Sequence, residues 1–265
     1  MTSIHPTAIV HSDAQLGDGV VIGPYCTVGA HCRVGDDVEL VSHVVLDGHT
    51  VLGRGVRIFP FASVGVQPQD LKYGGEPSRL QVGEETIIRE HVTAHTGTSG
   101  GGMETRIGAR CLLMVGCHVA HDCLIGDEVI LVNNVLLGGH VEIDGGAIVG
   151  GGSAIHQFAR IGRQAMIGGA SAVEGDVIPF GSVIGNRARL SGLNLVGLKR
   201  RGIPRDDIHG LRSAYRLLFS EEGTFQDRLE RVEQELGHHA TVGEVIAFIR
   251  AGSSRALVHP DRAAG

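Results

Sequence analysis

The stretch Val115 to Gly126, VGCHVAHDCLIG, concentrates the groups in this chain best suited to chemistry: Cys117, His118, His121, Asp122 and Cys123. Such a set has three possible uses. Thiolate, imidazole and carboxylate are all zinc ligands. A histidine, with an unperturbed pKa of about 6.5, can also take a proton near neutrality, and a neighbouring aspartate can orient it. The third use is plain structure. His140 and His156 follow at separations of 19 and 16 residues from their predecessors in the series His121, His140, His156.

What positions these residues is a repeat. Every sixth residue from Ile4 to Val64 is aliphatic, as is every sixth from Ile107 to Val173, and Val82, Ile88 and Ala94 keep the same step. Glycine often follows the aliphatic, as at Gly17, Gly23, Gly126 and Gly162, and a small or β-branched residue stands two before it, as at Ala14, Val20, Ala147 and Ser153. This is the signature of a hexapeptide β-helix. Each hexad supplies a short strand and a turn, three hexads close a triangular coil, and each coil offers its backbone hydrogen bonds to its neighbours. Twenty-six hexads predict between eight and nine coils, a stack of roughly 40 Å at about 4.8 Å per layer. The period is silent on handedness; the general rule for parallel connections favours the right hand.

The register sorts the opening stretch. All five cysteines, Cys26, Cys32, Cys111, Cys117 and Cys123, occupy the small inward position. They are expected to stack along an edge as interior filler. His118, His121, His140 and His156 avoid both inward positions, so they should reach the outside and gather on successive coils along one edge. A strip of four histidines does not by itself separate a catalytic site from a metal site.

Two polar, glycine-containing excursions interrupt the step of six, at residues 66–81 and 96–106. Insertions in a solenoid map to loops on its faces, often functional ones. After Val183 the period changes. Ile208, Leu211, Tyr215 and Leu218 make one helical stripe behind Pro204, Asp206 and Asp207, which suit a helix start. Phe225, Leu229, Val232 and Leu236 make a second. Val242, Val245, Ile246 and Ile249 make a third, which the pattern Thr241-x-x-Glu244 opens as a capping box. The expected organisation is a mainly β solenoid over residues 1–190 and a small helical domain over 191–265.

Composition sets outer limits. The chain has 265 residues, a net charge of −6, 41 glycines and no tryptophan. The negative balance argues against a general nucleic-acid binder. No apolar run is long enough to span a membrane, and the amino terminus MTSIHPTAIV lacks the pattern of a signal peptide. A cytoplasmic location is the resulting expectation.

Several stretches are more specific than the repeat: SHVVLDGHT, QDLKYGGEP, HVAHDC, AIHQF and LNLVGLKRRG, in that order. Through them the chain resembles, almost end to end, the acyl-carrier-protein-dependent UDP-N-acetylglucosamine acyltransferases that begin lipid A synthesis in Gram-negative bacteria. The resemblance implies a left-handed parallel β-helix and a homotrimer with sites between subunits. It also implies transfer of a 3-hydroxyacyl chain from acyl carrier protein to the 3-position of the sugar, with no metal or organic cofactor. A sugar hydroxyl needs a base as it attacks a thioester; His121 matches the family's base, and Asp122 its neighbour. The N–H matching Gly139 would stabilise the oxyanion.

By the same resemblance Gln69, Asp70 and Lys72 on the first excursion, with His118, His140, His156 and Gln157, match substrate-pocket positions. Asn194 and Arg201 match contacts to the nucleotide. Lys199, Arg200 and Arg201 would offer a basic docking patch to the acidic carrier. Gly169, with Met166, falls where acyl length is limited, and a glycine there predicts a long chain such as 3-hydroxymyristoyl. Val196 and Arg187 depart from the family pattern, standing where an acid that contacts the ribose and a histidine are found. Three rival readings remain at this point: the later N-acyltransferase of the pathway, a zinc lyase of the γ-carbonic-anhydrase type, and a non-catalytic scaffold. The acceptor could carry a 3-hydroxyl or a 3-amine.

Overall fold

The computed structural model describes residues 1–261. Two-residue strands recur every hexad, with the repeat aliphatic buried and its neighbour turned outward, as in Val21–Ile22, Leu112–Leu113 and Ile130–Leu131. They assemble into three long sheets, parallel throughout the coils. Face one begins at Ser3–Ile4, face two at Ile9–Val10 and face three at Gln15–Leu16. Residues one coil apart are in register, for example His118 with Leu136 and Leu136 with Ala154. The architecture is the left-handed parallel β-helix implied by the resemblance.

The core is a column of Val, Ile, Leu, Ala and Cys, most of them fully buried. Each fully buried aliphatic contributes about 1.5–3 kcal/mol relative to exposure. Among the described residues seventeen other than glycine hold positive φ, Asp122, His140 and Phe158 among them at one turn position in successive coils.

The cysteines are all free and buried, but they do not stack along one edge. Cys111, Cys117 and Cys123 precede strands Leu112–Leu113, His118–Val119 and Leu124–Ile125, which lie in three different sheets. A step of six moves round the prism, and only a step of a whole coil moves along it. Burial pushes the Cys123 thiol up to about 12, so it stays protonated.

The excursions are shorter than expected. Four-residue strands Ser63–Val66, Arg79–Val82 and Glu104–Ile107 take their ends, because their backbone groups pair with adjoining coils. Both loops leave the edge between faces two and three.

The last coil closes with an antiparallel pair, Gly181–Ile184 and Arg189–Leu193. Among the described residues four helices follow: α1 (Leu195–Arg200), α2 (Arg205–Leu218), α3 (Phe225–Leu236) and α4 (Ala240–Ala251). The expected stripes are their buried faces, including Leu211, Leu229, Val232, Val242 and Val245. The capping box at Thr241 does not form. Helix α4 starts at Ala240 with His239 as its N-cap, so Thr241 already lies inside it, and the Thr241 hydroxyl donates to the Asp207 carbonyl instead. A capping box does open α3, from Thr224 and Asp227.

The chain then returns to the solenoid. Asp176 and Val258 exchange backbone hydrogen bonds with the opposing segment, and the Leu190 N–H donates to His259. At the other end Ile4 is 47% exposed and Val10 and Leu16 are half-buried, whereas their counterparts one coil on, Ile22, Val28 and Val34, are at most 4% exposed. Among the described residues no helix is long and apolar enough to cross a membrane.

Candidate active site

A cavity of about 320 Å³ lies where face two meets the edge it shares with face three. Its polar side is Gln69, His95, His118, His121 and the Gly138–Gly139 turn; Leu136, Leu137, Ala154 and Ile155 make an apolar wall. A few convergent polar groups beside apolar surface is the usual make-up of a small-molecule site.

His121 and Asp122 form the turn of the sixth coil. The Asp122 side chain is fully buried, and its Oδ2 lies 2.8 Å from His121 Nδ1. An ionised carboxylate only accepts, so the imidazole carries its proton on Nδ1 and leaves the Nε2 lone pair free. The second excursion holds this carboxylate in place. The Thr98 N–H donates to Oδ1 at 2.9 Å, the Thr98 hydroxyl to Oδ2 at 2.6 Å, and the Thr105 hydroxyl accepts from the Asp122 N–H. A Cβ on Gly101 would stand 2.1 Å from the Asp122 carboxyl carbon, so the glycines of the loop let it close over the acid. Sequence reasoning missed Thr98 and Thr105; the only signal was a polar insertion.

Gly139 sits one coil above His121, and the imidazole packs on it. A Cβ there would lie 2.5 Å from His121 Cε1 and 2.7 Å from Nε2. Glycine is thus required by the base's ring itself. The Gly139 N–H has no protein acceptor among the described residues, so it is free to donate to a substrate oxygen. Gly139→Ala is expected to leave the solenoid folded, with an unchanged circular dichroism spectrum, and to lower kcat about a hundredfold. A displaced reacting group can cost that much; a normal kcat would show that His121 tolerates the shift.

Three further histidines surround the pair. His118 Nδ1 lies 2.8 Å from the Thr93 hydroxyl, and burial followed by the nearby His121 lowers its pKa. His140 meets His121 edge-on at 5.1 Å and stacks on Phe158 at 4.4 Å. Burial lowers its pKa most, against the opposing pull of Asp122. His95, which sequence reasoning did not single out, is 3% exposed and is held down to about 4, by burial first and then by His118 and His121.

The remaining expected residues are not brought together in one chain. Gln69 lines the cavity, while Asp70 accepts from the Lys72 N–H in the same loop and Lys72 is exposed. His156 and Gln157 lie further up the same edge, where Arg255 reaches His156 Nδ1 at 2.8 Å and the Gln157 carbonyl at 3.0 Å. Met166 belongs to face one, and Gly169 to the turn between faces one and two. Asn194 caps α1 and donates to the Gln164 carbonyl. The Arg201 guanidinium pairs with Glu128 at 3.0 Å, on the edge between faces three and one. Val196 is exposed, and Arg187 lies 3.8 Å from Glu174.

His121, Asp122 and His140 offer donor atoms within 4.8 Å of one another. His121 Nδ1, both Asp122 oxygens and Thr98 are joined by hydrogen bonds, so this cluster is held together without an ion.

Residues 176–258 match a family described as UDP-N-acetylglucosamine O-acyltransferase, domain 2, and residues 13–48 and 104–139 match the bacterial transferase hexapeptide repeat. The chain is 52% identical to the acyl-[acyl-carrier-protein]–UDP-N-acetylglucosamine O-acyltransferase of Caulobacter vibrioides, over 98% of this chain and 99% of that one. It is 66% identical to the protein of that name from Methylobacterium radiotolerans, over 77% and 75%. A crystal structure of a UDP-N-acetylglucosamine acyltransferase superposes with a TM-score of 0.94 at 41% identity, covering 98% of this chain and all of that one. The Moraxella catarrhalis O-acyltransferase gives 0.93 at 40%, covering 97% and 99%.

Proposed function

Because this chain belongs to the UDP-N-acetylglucosamine O-acyltransferase family, we propose that His121 is the general base of an acyl transfer from acyl carrier protein to UDP-N-acetylglucosamine, the reaction that opens lipid A synthesis. The observation that carries the assignment is the His121–Asp122 hydrogen bond on the floor of a half-apolar cavity. His121 Nε2 takes the proton of the sugar 3-hydroxyl as its oxygen attacks the thioester carbon. The carbonyl oxygen becomes an oxyanion opposite the Gly139 N–H. Collapse expels the carrier's thiolate, which recovers the proton from the imidazolium. Asp122 keeps the tautomer fixed and stabilises that imidazolium. Leu136 and Ala154 would flank the first carbons of a 3-hydroxyacyl chain.

The active unit is a homotrimer in this reading. The support is geometric: the proposed base, the acyl-length residues Met166 and Gly169, and the nucleotide residues Asn194 and Arg201 occupy three different parts of the prism. Only neighbouring copies could place them round one substrate. Gln69, Asp70, Lys72, His118, His140, His156 and Gln157 are assigned to the sugar and acyl groups on the base's own edge. Lys199 and Arg200, both exposed, stand ready for an acidic carrier. The cytoplasm, where carrier protein and sugar nucleotide are made, is the proposed location.

The test is transfer from a panel of 3-hydroxyacyl carrier proteins to UDP-N-acetylglucosamine and to its 3-amino analogue, with products identified by mass spectrometry. A long chain such as 3-hydroxymyristoyl and the 3-hydroxyl acceptor are expected to win. Gly169→Met should shift the preference toward shorter chains, because its side chain would take up space where the family limits acyl length. An unchanged product profile would remove the length assignment, and no transfer from any donor would remove the function.

A further inference from the structure

His95 closes the strand Thr93–His95, one coil before the His121 turn, and its ring lines the same cavity as Gln69, His118 and His121. Nothing assigned so far uses it. Its Nδ1 is sealed from solvent and has no hydrogen-bond partner, and the ring meets His118 edge-on at 4.9 Å. A buried polar atom without a partner is costly.

The tautomer follows from this arrangement. A sealed N–H is a rarer defect than a sealed lone pair, so the proton belongs on Nε2 and the lone pair on Nδ1. Since the ring is a wall of the cavity, the cavity is where that N–H can find an acceptor. Burial keeps the imidazole neutral at pH 7. A neutral donor suits a hydroxyl or amide carbonyl oxygen; a phosphate would favour a cation.

Resting on the assignment of this cavity to acyl transfer, we propose that His95 is a substrate-binding residue whose imidazole N–H donates to an uncharged oxygen of the acceptor sugar, beside the hydroxyl that His121 deprotonates. The sugar oxygens are favoured over the acyl chain because His95 lines the cavity with the polar Gln69, His118 and His121, whereas Leu136 and Ala154 continue the strand ladder on the far side of His118. A neutral His95 also leaves His121 as the group that takes the proton in turnover.

The experiment compares wild type, His95→Phe and His95→Gln in steady-state transfer, varying each substrate in turn, with thermal unfolding measured in parallel. His95→Phe keeps the ring's bulk and removes both nitrogens. It is expected to lower kcat/KM for the sugar nucleotide about tenfold or more, through KM, with the carrier-protein KM within twofold of wild type and Tm unchanged or raised. His95→Gln, which can still donate, should recover part of the loss. Wild-type kcat/KM for the sugar in the Phe variant would overturn the proposal. So would equal losses for both substrates, or a lowered Tm in the Phe variant with no recovery by glutamine, which would mark a packing role. A wild-type chain that transfers no acyl group would instead remove the reading of the cavity, and this assignment with it.

Discussion

His121→Ala is expected to lower kcat by about a hundred- to ten-thousand-fold, the usual contribution of a positioned general base. KM for either substrate should change little. The reason lies in the coupling of three layers of structure. The hexad register places His121 on an edge, the turn of the next coil offers Gly139 as a seat for its ring, and the second excursion clamps Asp122 behind it. All of this organisation converges on one lone pair at Nε2. Single-turnover assays with saturating acyl carrier protein isolate the chemical step. Near-normal turnover in the alanine variant would move the base elsewhere, with His140 as the neighbouring candidate.

The largest expected effect on stability comes from Asp176→Ala, at about 3–5 kcal/mol, the range for stripping one partner from a buried ion pair. The Asp176 side chain is 1% exposed and accepts from the Arg160 guanidinium at 2.7 and 2.8 Å, from the Arg160 N–H at 2.9 Å and from the Ser253 hydroxyl at 2.7 Å. Arg160 in turn lies 4.3 Å from the Phe248 ring centre and donates to the Phe248 carbonyl. One carboxylate therefore ties the eighth coil, helix α4 and the returning chain together. Its loss would leave a largely buried guanidinium with only the more distant Asp144 and Glu142 to balance it. Urea unfolding followed by circular dichroism should show the drop, and Arg160→Met in the same chain should recover much of it. A midpoint unchanged by Asp176→Ala would mean that water or another acid takes the carboxylate's place.

The solenoid was legible because burial in a hexad depends only on residue position: Val119 and Ile125 point inward whatever else the chain does. His121 and Asp122 could be placed outside by the same rule. Misreadings arose where a second length scale mattered. The cysteines repeat at six, but stacking repeats at a whole coil, so Cys117 and Cys123 occupy different edges. Thr241 has the spacing of a capping box, yet the helix begins one residue before it and its hydroxyl is taken by α2. Thr98 was invisible because a loop has no period, and Thr105 because it stands at the small inward position of the strand Glu104–Ile107; their partner Asp122 is distant in sequence. His95 follows the repeat position Ala94 and reads as an ordinary strand residue; only the cavity reveals it. The assignment of Asn194 and Arg201 came from resemblance alone, and in this chain both already hold structural partners.

The two ends of the prism are unequal. The carboxyl end is covered by helices and by the returning chain, whereas among the described residues the first coil leaves Ile4, Val10 and Leu16 partly bare. In a stack where each layer touches only its neighbours, unravelling starts at the loose end and proceeds one layer at a time. The His121 turn lies in the sixth coil, toward the sealed end. The molecule can therefore breathe at its amino end while the geometry around His121 stays fixed, so that softness and precision are allotted to opposite ends of one rod.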